Sequence, residues 1–202
     1  MTFLETILDE LLKIFKKHGI NSYTEQELIE LLDIRQSTFD ELFPSREDMV
    51  NKVVRHNNEI QVQQHKVLLA TASNAVEEIV LLLQYGIKDI QTIGPQYIKD
   101  LQSYPEAWQI GIDFLNTYSY HQLYDIINKG IVEGLFRKDI NIQVVVKIIL
   151  EQIFMIINPV AFPSDKYDLS EVFRSVYLYY MRGLCTDKGG KLAEEFFSKN
   201  SL

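Results

Sequence analysis

Apolar residues recur at helical spacing from the start of the chain. Phe3, Leu4, Ile7, Leu8, Leu11, Leu12 and Phe15 fall on one face of a first helix, opened by the capping pair Thr2 and Glu5 and stopped at Gly19. Thr24 and Glu27 repeat the capping pattern and open a second helix with Leu28, Leu31 and Leu32 inward. A turn near Asp33 leads to a third helix over 35–42. Ser45 then caps a fourth, whose first residues Arg46-Glu47-Asp48 set acids against the N-terminal dipole. The polar run HNNEIQVQQHK predicts that the fourth helix continues as an exposed one.

Beyond it, Val76, Ile79, Val80, Leu83, Ile87 and Ile90 form an amphipathic helix. Gly94-Pro95 and Tyr104-Pro105 mark breaks around a short helix. The pattern predicts one long helix over 106–133, a turn at 136–139, a helix over 142–157 stopped by Asn158-Pro159, and a helix after the capping pair Asp168 and Glu171. A short final helix is expected over 190–198. No repeat, low-complexity segment or clear strand is present, so the predicted fold is all-α. A helix-turn-helix domain over 1–48 precedes a larger helical domain over 49–202.

Composition narrows the function. Hydrophobic residues make up 47%, ample for a core, while only 9 Gly and 5 Pro interrupt the helices. The net charge of −8 argues against a broad electrostatic grip on nucleic acid or an anionic membrane. Residues 1–55 carry 7 Lys/Arg against 11 Asp/Glu, so the candidate DNA-reading end is itself net −4. Cys185 is the single cysteine, which excludes an intrachain disulfide and fits a reduced cytoplasm. The first residues lack the basic start and cleavage site of a signal peptide. The most apolar run, 144–157, is interrupted by Lys147, Glu151 and Gln152 and is shorter than the ~20 residues that span a bilayer. No membrane partner is expected, and the predicted location is cytoplasmic.

A helix-turn-helix reads DNA by laying one helix in the major groove while the preceding helix braces it. Leu28, Leu32, Ile34, Phe39 and Phe43 would hold the pair inward, leaving Arg35, Gln36, Ser37, Thr38, Asp40 and Glu41 near the surface. Arg and Gln can read guanine and adenine, and Ser and Thr suit phosphate or base. Tyr23-Thr24 and Arg46, at helix N-termini, could meet phosphates.

Ile7-Leu8, Phe15 with Gly19, Thr24, Ile34, Thr38-Phe39 and Phe43-Pro44-Ser45-Arg46-Glu47 resemble, in register across roughly 45 residues, the DNA-binding domain of the tetracycline-repressor (TetR) family. GLFRKDIN, a long apolar helix and YYMRGL are similar to that family's second domain. The resemblance implies a homodimeric, ligand-responsive repressor that binds a double-stranded operator. It places Tyr23, Thr24 and Arg46 at phosphate-contacting positions and Arg35 to Asp40 on the recognition helix. The chain departs from the family at Ile29, where a small residue is usual, and at Asp33, where glycine is usual. It also departs at Asp40, where an aromatic hydroxyl is usual. A carboxylate at Asp40 repels phosphate unless it accepts from a cytosine amino group.

The larger domain is rich in aromatic residues, and the family implies that such residues line an effector cavity. Tyr85, Trp108, Phe114, Tyr118, His121 and Phe154 are the candidates, for a small apolar or aromatic effector. Between 144 and 157, 11 of 14 positions are apolar, more than a single buried stripe requires. With the greasy helix after Asp168, this predicts a four-helix dimer interface through Val145, Ile149, Ile153, Val176, Tyr177 and Tyr180.

No catalytic, cofactor or metal motif emerges. His18, His56, His65 and His121 lack metal-ligand spacing, and neither a phosphate loop nor a nucleophile elbow is present. A non-enzymatic regulator is expected. Two readings stand: an operator-binding repressor, or a ligand sensor or protein-interaction module that kept the fold without specific DNA binding.

Overall fold

The computed structural model describes residues 2–158, 160–163 and 165–199. Among them every extended element of secondary structure is a helix, with an isolated bridge between Phe136 and Cys185. It divides into two compact units. The first holds residues up to Gln63 together with Thr92–Phe114, and the second holds Gln64–Gln91 and the chain from Leu115 onward.

In the first unit, α1 (Phe3–His18) starts at a capping box in which Glu5 N donates to Thr2 Oγ1 and Thr2 N to Glu5 Oε2. It ends at Gly19, whose φ of 96° is one that glycine adopts without strain. A second box at Thr24 and Glu27 opens α2 (Glu25–Leu32). After α3 (Gln36–Leu42), the Ser45 hydroxyl accepts from Asp48 N at the start of α4 (Arg46–Leu69). Leu11, Phe15, Ile20, Leu28, Phe39, Phe43, Met49, Val50 and Val53 are buried together.

The first unit also includes α6 (Pro95–Leu101) and α7 (Pro105–Phe114), which are separated from α4 in sequence by a helix of the second unit. Their attachment is polar as well as apolar. Gly94 N donates to Lys16 O at 2.7 Å, Asn21 N to Asp100 Oδ2 at 3.0 Å, and Tyr104 Oη to Asn21 Oδ1 at 2.6 Å. Tyr97 and Ala107 complete the core. A Cβ on Gly94 would stand 2.8 Å from Lys17 O, so the close approach there requires glycine.

The second unit contains the end of α4, then α5 (Ala75–Gln91), α8 (Tyr120–Val132), α9 (Ile142–Ile156), α10 (Leu169–Leu184) and α11 (Asp187–Lys199). Val76, Val80, Ile127, Phe136, Val146, Leu150, Ile156, Met181 and Leu184 form its core.

Two predicted elements differ. The helix expected over 106–133 is broken by a π-helical turn, Leu115–Ser119, between α7 and α8. That turn carries an extra residue, so the side chains after it are rotated off the simple helical frame. The last helix starts at Asp187 rather than near 190, because Thr186 Oγ1 accepts from Gly189 N and donates to Gly134 O. Phe136, placed in a turn by sequence, is 1% exposed. Its neighbours clasp the strand-like segment before α11: Arg137 N donates to Leu184 O and Thr186 N to Leu135 O, each at 2.9 Å.

Candidate functional site

The turn between α2 and α3 rests on one residue. Asp33 sits in the left-handed region, with φ 50° and ψ 48°, and Ile34 N donates back to Ile29 O. Asp is among the few side chains that visit this region readily, so it can stand where glycine would be easier. The short α3 has no side-chain N-cap. Phe39 anchors it, edge-on to Phe43 at 5.2 Å, while Lys52 Nζ donates to Leu42 O at the C-terminal end of α3. Lys52 also pairs with Asp48 at 2.8 Å. A cation at this end favours the helix dipole.

This packing leaves Arg35, Gln36, Ser37, Asp40 and Glu41 exposed and Thr38 half-buried. Gln36 Nε2 donates to Asp40 Oδ1 at 2.8 Å, so two candidate base readers hold each other along the helix. Tyr23 is half-buried, edge-on to His18 at 5.7 Å. The Thr24 hydroxyl is engaged by Glu27, whose backbone partner Thr24 holds its carboxyl below the ordinary carboxylate value.

Arg46 faces inward. Its guanidinium donates to Ile20 O, to Tyr23 O at 2.9 Å and, through Nε, to Tyr104 Oη at 3.2 Å. It ties α4 to the loop before α2 and to the start of α7. From 25 to 47 the chain has seven carboxylates, with Arg35 and Arg46 as the cations. With Arg46 occupied, Arg35 is the exposed cation of the α2–α3 face.

The candidate effector residues separate. Trp108 and Phe114 belong to the first unit, and Tyr85, Tyr118, His121 and Phe154 to the second. Tyr118 and His121 line a cleft of about 560 Å³ with Leu69, Glu78, Gln122, Asp125, Ile126 and Lys129. Behind it, His65 stacks on Tyr118 at 5.9 Å and meets Tyr85 edge-on at 5.1 Å. Gln122 hydrogen-bonds the His65 ring and donates to Tyr118 Oη at 2.8 Å. Burial pushes the His65 pKa down, and burial with the Asp89 charge pushes the Tyr85 phenol up to about 12. Phe154 is half-buried on α9, outside this cleft.

His65, Glu78, Gln122, Asp125 and Lys129 were missed by sequence reasoning. A signal existed for part of the set. Tyr118, His121, Gln122, Asp125 and Lys129 fall at helical spacing and make a polar stripe, whereas the sequence argument followed aromatic residues alone. His65 lay in a run read as exposed.

Of the candidate dimer residues, Ile149 and Tyr177 are buried within this chain, and Tyr177 Oη donates to Ile149 O at 2.8 Å. Val145, Ile153, Val176 and Tyr180 are half-buried against the same core, with Tyr180 Oη donating to Val145 O. The apolar residues left outside are Val144, Ile148 and Met155 on α9, at 52%, 43% and 44% exposure, and Tyr179 on α10, at 72%.

Among the described residues no group of three or more His, Cys, Asp or Glu could hold a metal ion, and no helix is long and apolar enough to cross a membrane. Burial raises the Cys185 thiol to about 11, which leaves little thiolate at neutral pH.

Two units of packed helices with a helix-turn-helix in the first make an all-α protein. No family model matches the chain. It is 22% identical over 198 residues to the HTH-type transcriptional repressor KstR2 of Mycolicibacterium smegmatis, covering 92% of this chain and 94% of that protein. A solved structure of a TetR-family regulator from Agrobacterium tumefaciens is 14% identical, with a TM-score of 0.68 over 91% of this chain and 100% of the other. A putative transcriptional regulator from Saccharomonospora viridis in complex with choline is 16% identical, with a TM-score of 0.73 over 91% and 97%. Along most of its length the chain is similar to the KstR2 repressor, and it shares the all-α fold of TetR-family transcriptional regulators.

Proposed function

We propose that this chain is a homodimeric repressor that binds a palindromic operator through α3 and releases it when a small molecule occupies the second unit. The observation that carries this reading is the helix-turn-helix itself. A left-handed turn at Asp33 presents Arg35, Gln36 and Ser37 at the N-terminal end of an exposed α3, the end that meets base edges in this class of domain. The similarity to KstR2, named a transcriptional repressor, supports it. The unburied row Val144, Ile148 and Met155 recurs at the spacing of one helix face and gives a second copy an apolar stripe to cover. Ile149 and Tyr177 would support that stripe from beneath. The likeness to a choline-bound regulator is consistent with a small organic effector in the second unit.

One observation favours the second reading, a sensor or interaction module without DNA. The α2–α3 face carries carboxylates at 25, 27, 30, 33, 40 and 41 beside Arg35. Selection of bound duplexes from a random pool, at low and moderate salt, separates the two. The expected result is an enriched palindrome whose affinity falls with salt more gently than in a strongly basic reader. A folded dimer that enriches nothing at either salt would leave the second reading.

Asp40 refines the test. Asp40→Asn removes a negative charge facing the duplex and preserves the shape of the pair with Gln36. Affinity for any duplex should rise about threefold to tenfold, measured by fluorescence anisotropy. A fall in affinity confined to one sequence would instead mark Asp40 as an acceptor for a cytosine amino group.

A further inference from the structure

The cleft in the second unit is walled by charge that an apolar effector would not need. Its ionisable groups are Glu78, His121, Asp125 and Lys129. Lys129 is held by Glu78 at 2.7 Å and stands 4.0 Å from Glu133, so its charge is already matched. Among the described residues no cation pairs with Asp125, whose carboxylate is exposed on the wall. The surplus charge of the carboxylates and Lys129 together is therefore negative.

The ground behind the wall adds no positive charge. His65 stacks on Tyr118, and its burial favours the neutral ring. Its Nδ1 is buried without a hydrogen-bond partner. Tyr118 brings an aromatic ring to the cleft, and Leu69 and Ile126 bring apolar surface. An anionic effector would meet unbalanced negative charge, and a neutral one would leave Asp125 solvated but unused. A cation satisfies both features, since an ammonium is attracted by a carboxylate and by the face of a ring.

We propose that the effector cleft takes a small organic cation, an ammonium group on an alkyl body, with the head at Asp125 and Tyr118 and the body along Leu69 and Ile126. This rests on reading the second unit as the effector-binding part of a regulator, and it replaces the small apolar or aromatic effector expected from the sequence.

The test is calorimetric titration of the full chain with three ligands that share a six-carbon tail: hexyltrimethylammonium, hexanol and hexanoate. The cation should bind about tenfold or more tightly than hexanol, and hexanoate should bind most weakly. Asp125→Asn should weaken the cation about fivefold and leave hexanol unchanged, and the preference should shrink with salt because Asp125 is exposed. Asp125 is exposed on the surface of α8, so circular dichroism should show the variant folded. Equal binding of the cation and hexanol, a preference for hexanoate, or no heat with any of the three would overturn the proposal. The repressor reading is tested apart, by duplex selection without ligand. A palindrome without cation preference removes this proposal alone, and cation preference without a palindrome removes the repressor reading alone.

Discussion

Gly130→Ala is expected to destabilise the second unit by about 3 kcal/mol, a large effect for one methyl group. Gly130 is buried in α8, and a Cβ there would stand 3.0 Å from Cγ of Phe136 and nearer still to two other ring carbons. The ring cannot retreat, because Phe136 is 1% exposed and its backbone is pinned on both sides. Leu135 N and Phe136 N both donate to Gly130 O, at 2.8 and 3.0 Å, and Arg137 N and Thr186 N lock the same segment to the end of α10 and the start of α11. Gly183 in α10 provides the control, since a Cβ there meets nothing within 4 Å. Gly183→Ala should stabilise by roughly 0.5–1 kcal/mol, the ordinary helix preference for alanine. Urea unfolding followed by far-ultraviolet circular dichroism reads both. Equal midpoints for the two variants would show that the ring yields, and the packing argument would fail.

The second large effect is expected at Arg46. Arg46→Ala leaves the carbonyls of Ile20 and Tyr23 without their donor and removes a partner from Tyr104, in a part-buried setting. Hydrogen bonds to a charged group contribute about 1.5–3 kcal/mol each, with losses that do not add fully, so the first unit should lose roughly 2–4 kcal/mol. Trp108 is the single tryptophan and lies in that unit, so its fluorescence follows this unfolding. Arg46→Lys should rescue little, since an ammonium cannot reach three acceptors with the geometry of a guanidinium. A phosphate-contact role predicts the opposite pattern: an unchanged unfolding midpoint and a weakened duplex affinity in the folded variant. That result would return Arg46 to the DNA surface.

Arg46 shows where sequence reasoning reached its limit. Its position at the start of a helix was legible, and so was the unusual choice of Asp33 at the turn, which the left-handed backbone explains. The direction of the Arg46 side chain was not legible, because its partners are carbonyls of 20 and 23 and a hydroxyl at 104. Partners without a side-chain signature, or far along the chain, leave no local pattern. The candidate effector residues show the same limit. Aromatic content pointed at Trp108 and Phe114, yet the two lie in the first unit, since 92–114 packs with α1 rather than with its neighbours in sequence. The π-helical turn at 115–119 had no apolar periodicity to announce it.

What the sequence by itself determined is the local layer: the capping boxes at Thr2 and Thr24, the stop at Gly19, the inward faces of α1 and α5, Leu28 as the buried residue of α2, and the acidity of α3; Phe3 and Leu31, expected inward, are 57% and 55% exposed. Each depends on residues within about one or two helical turns of each other, so short-range spacing suffices to specify it. Tertiary structure alone decided that α6 and α7 join the first unit, that Arg46 and Tyr177 face inward, and that Glu78 and Asp125 are brought to one cleft with His65 behind Tyr118. Those outcomes come from competition among distant apolar faces and buried polar groups for partners, and such competition is resolved only when the whole chain packs.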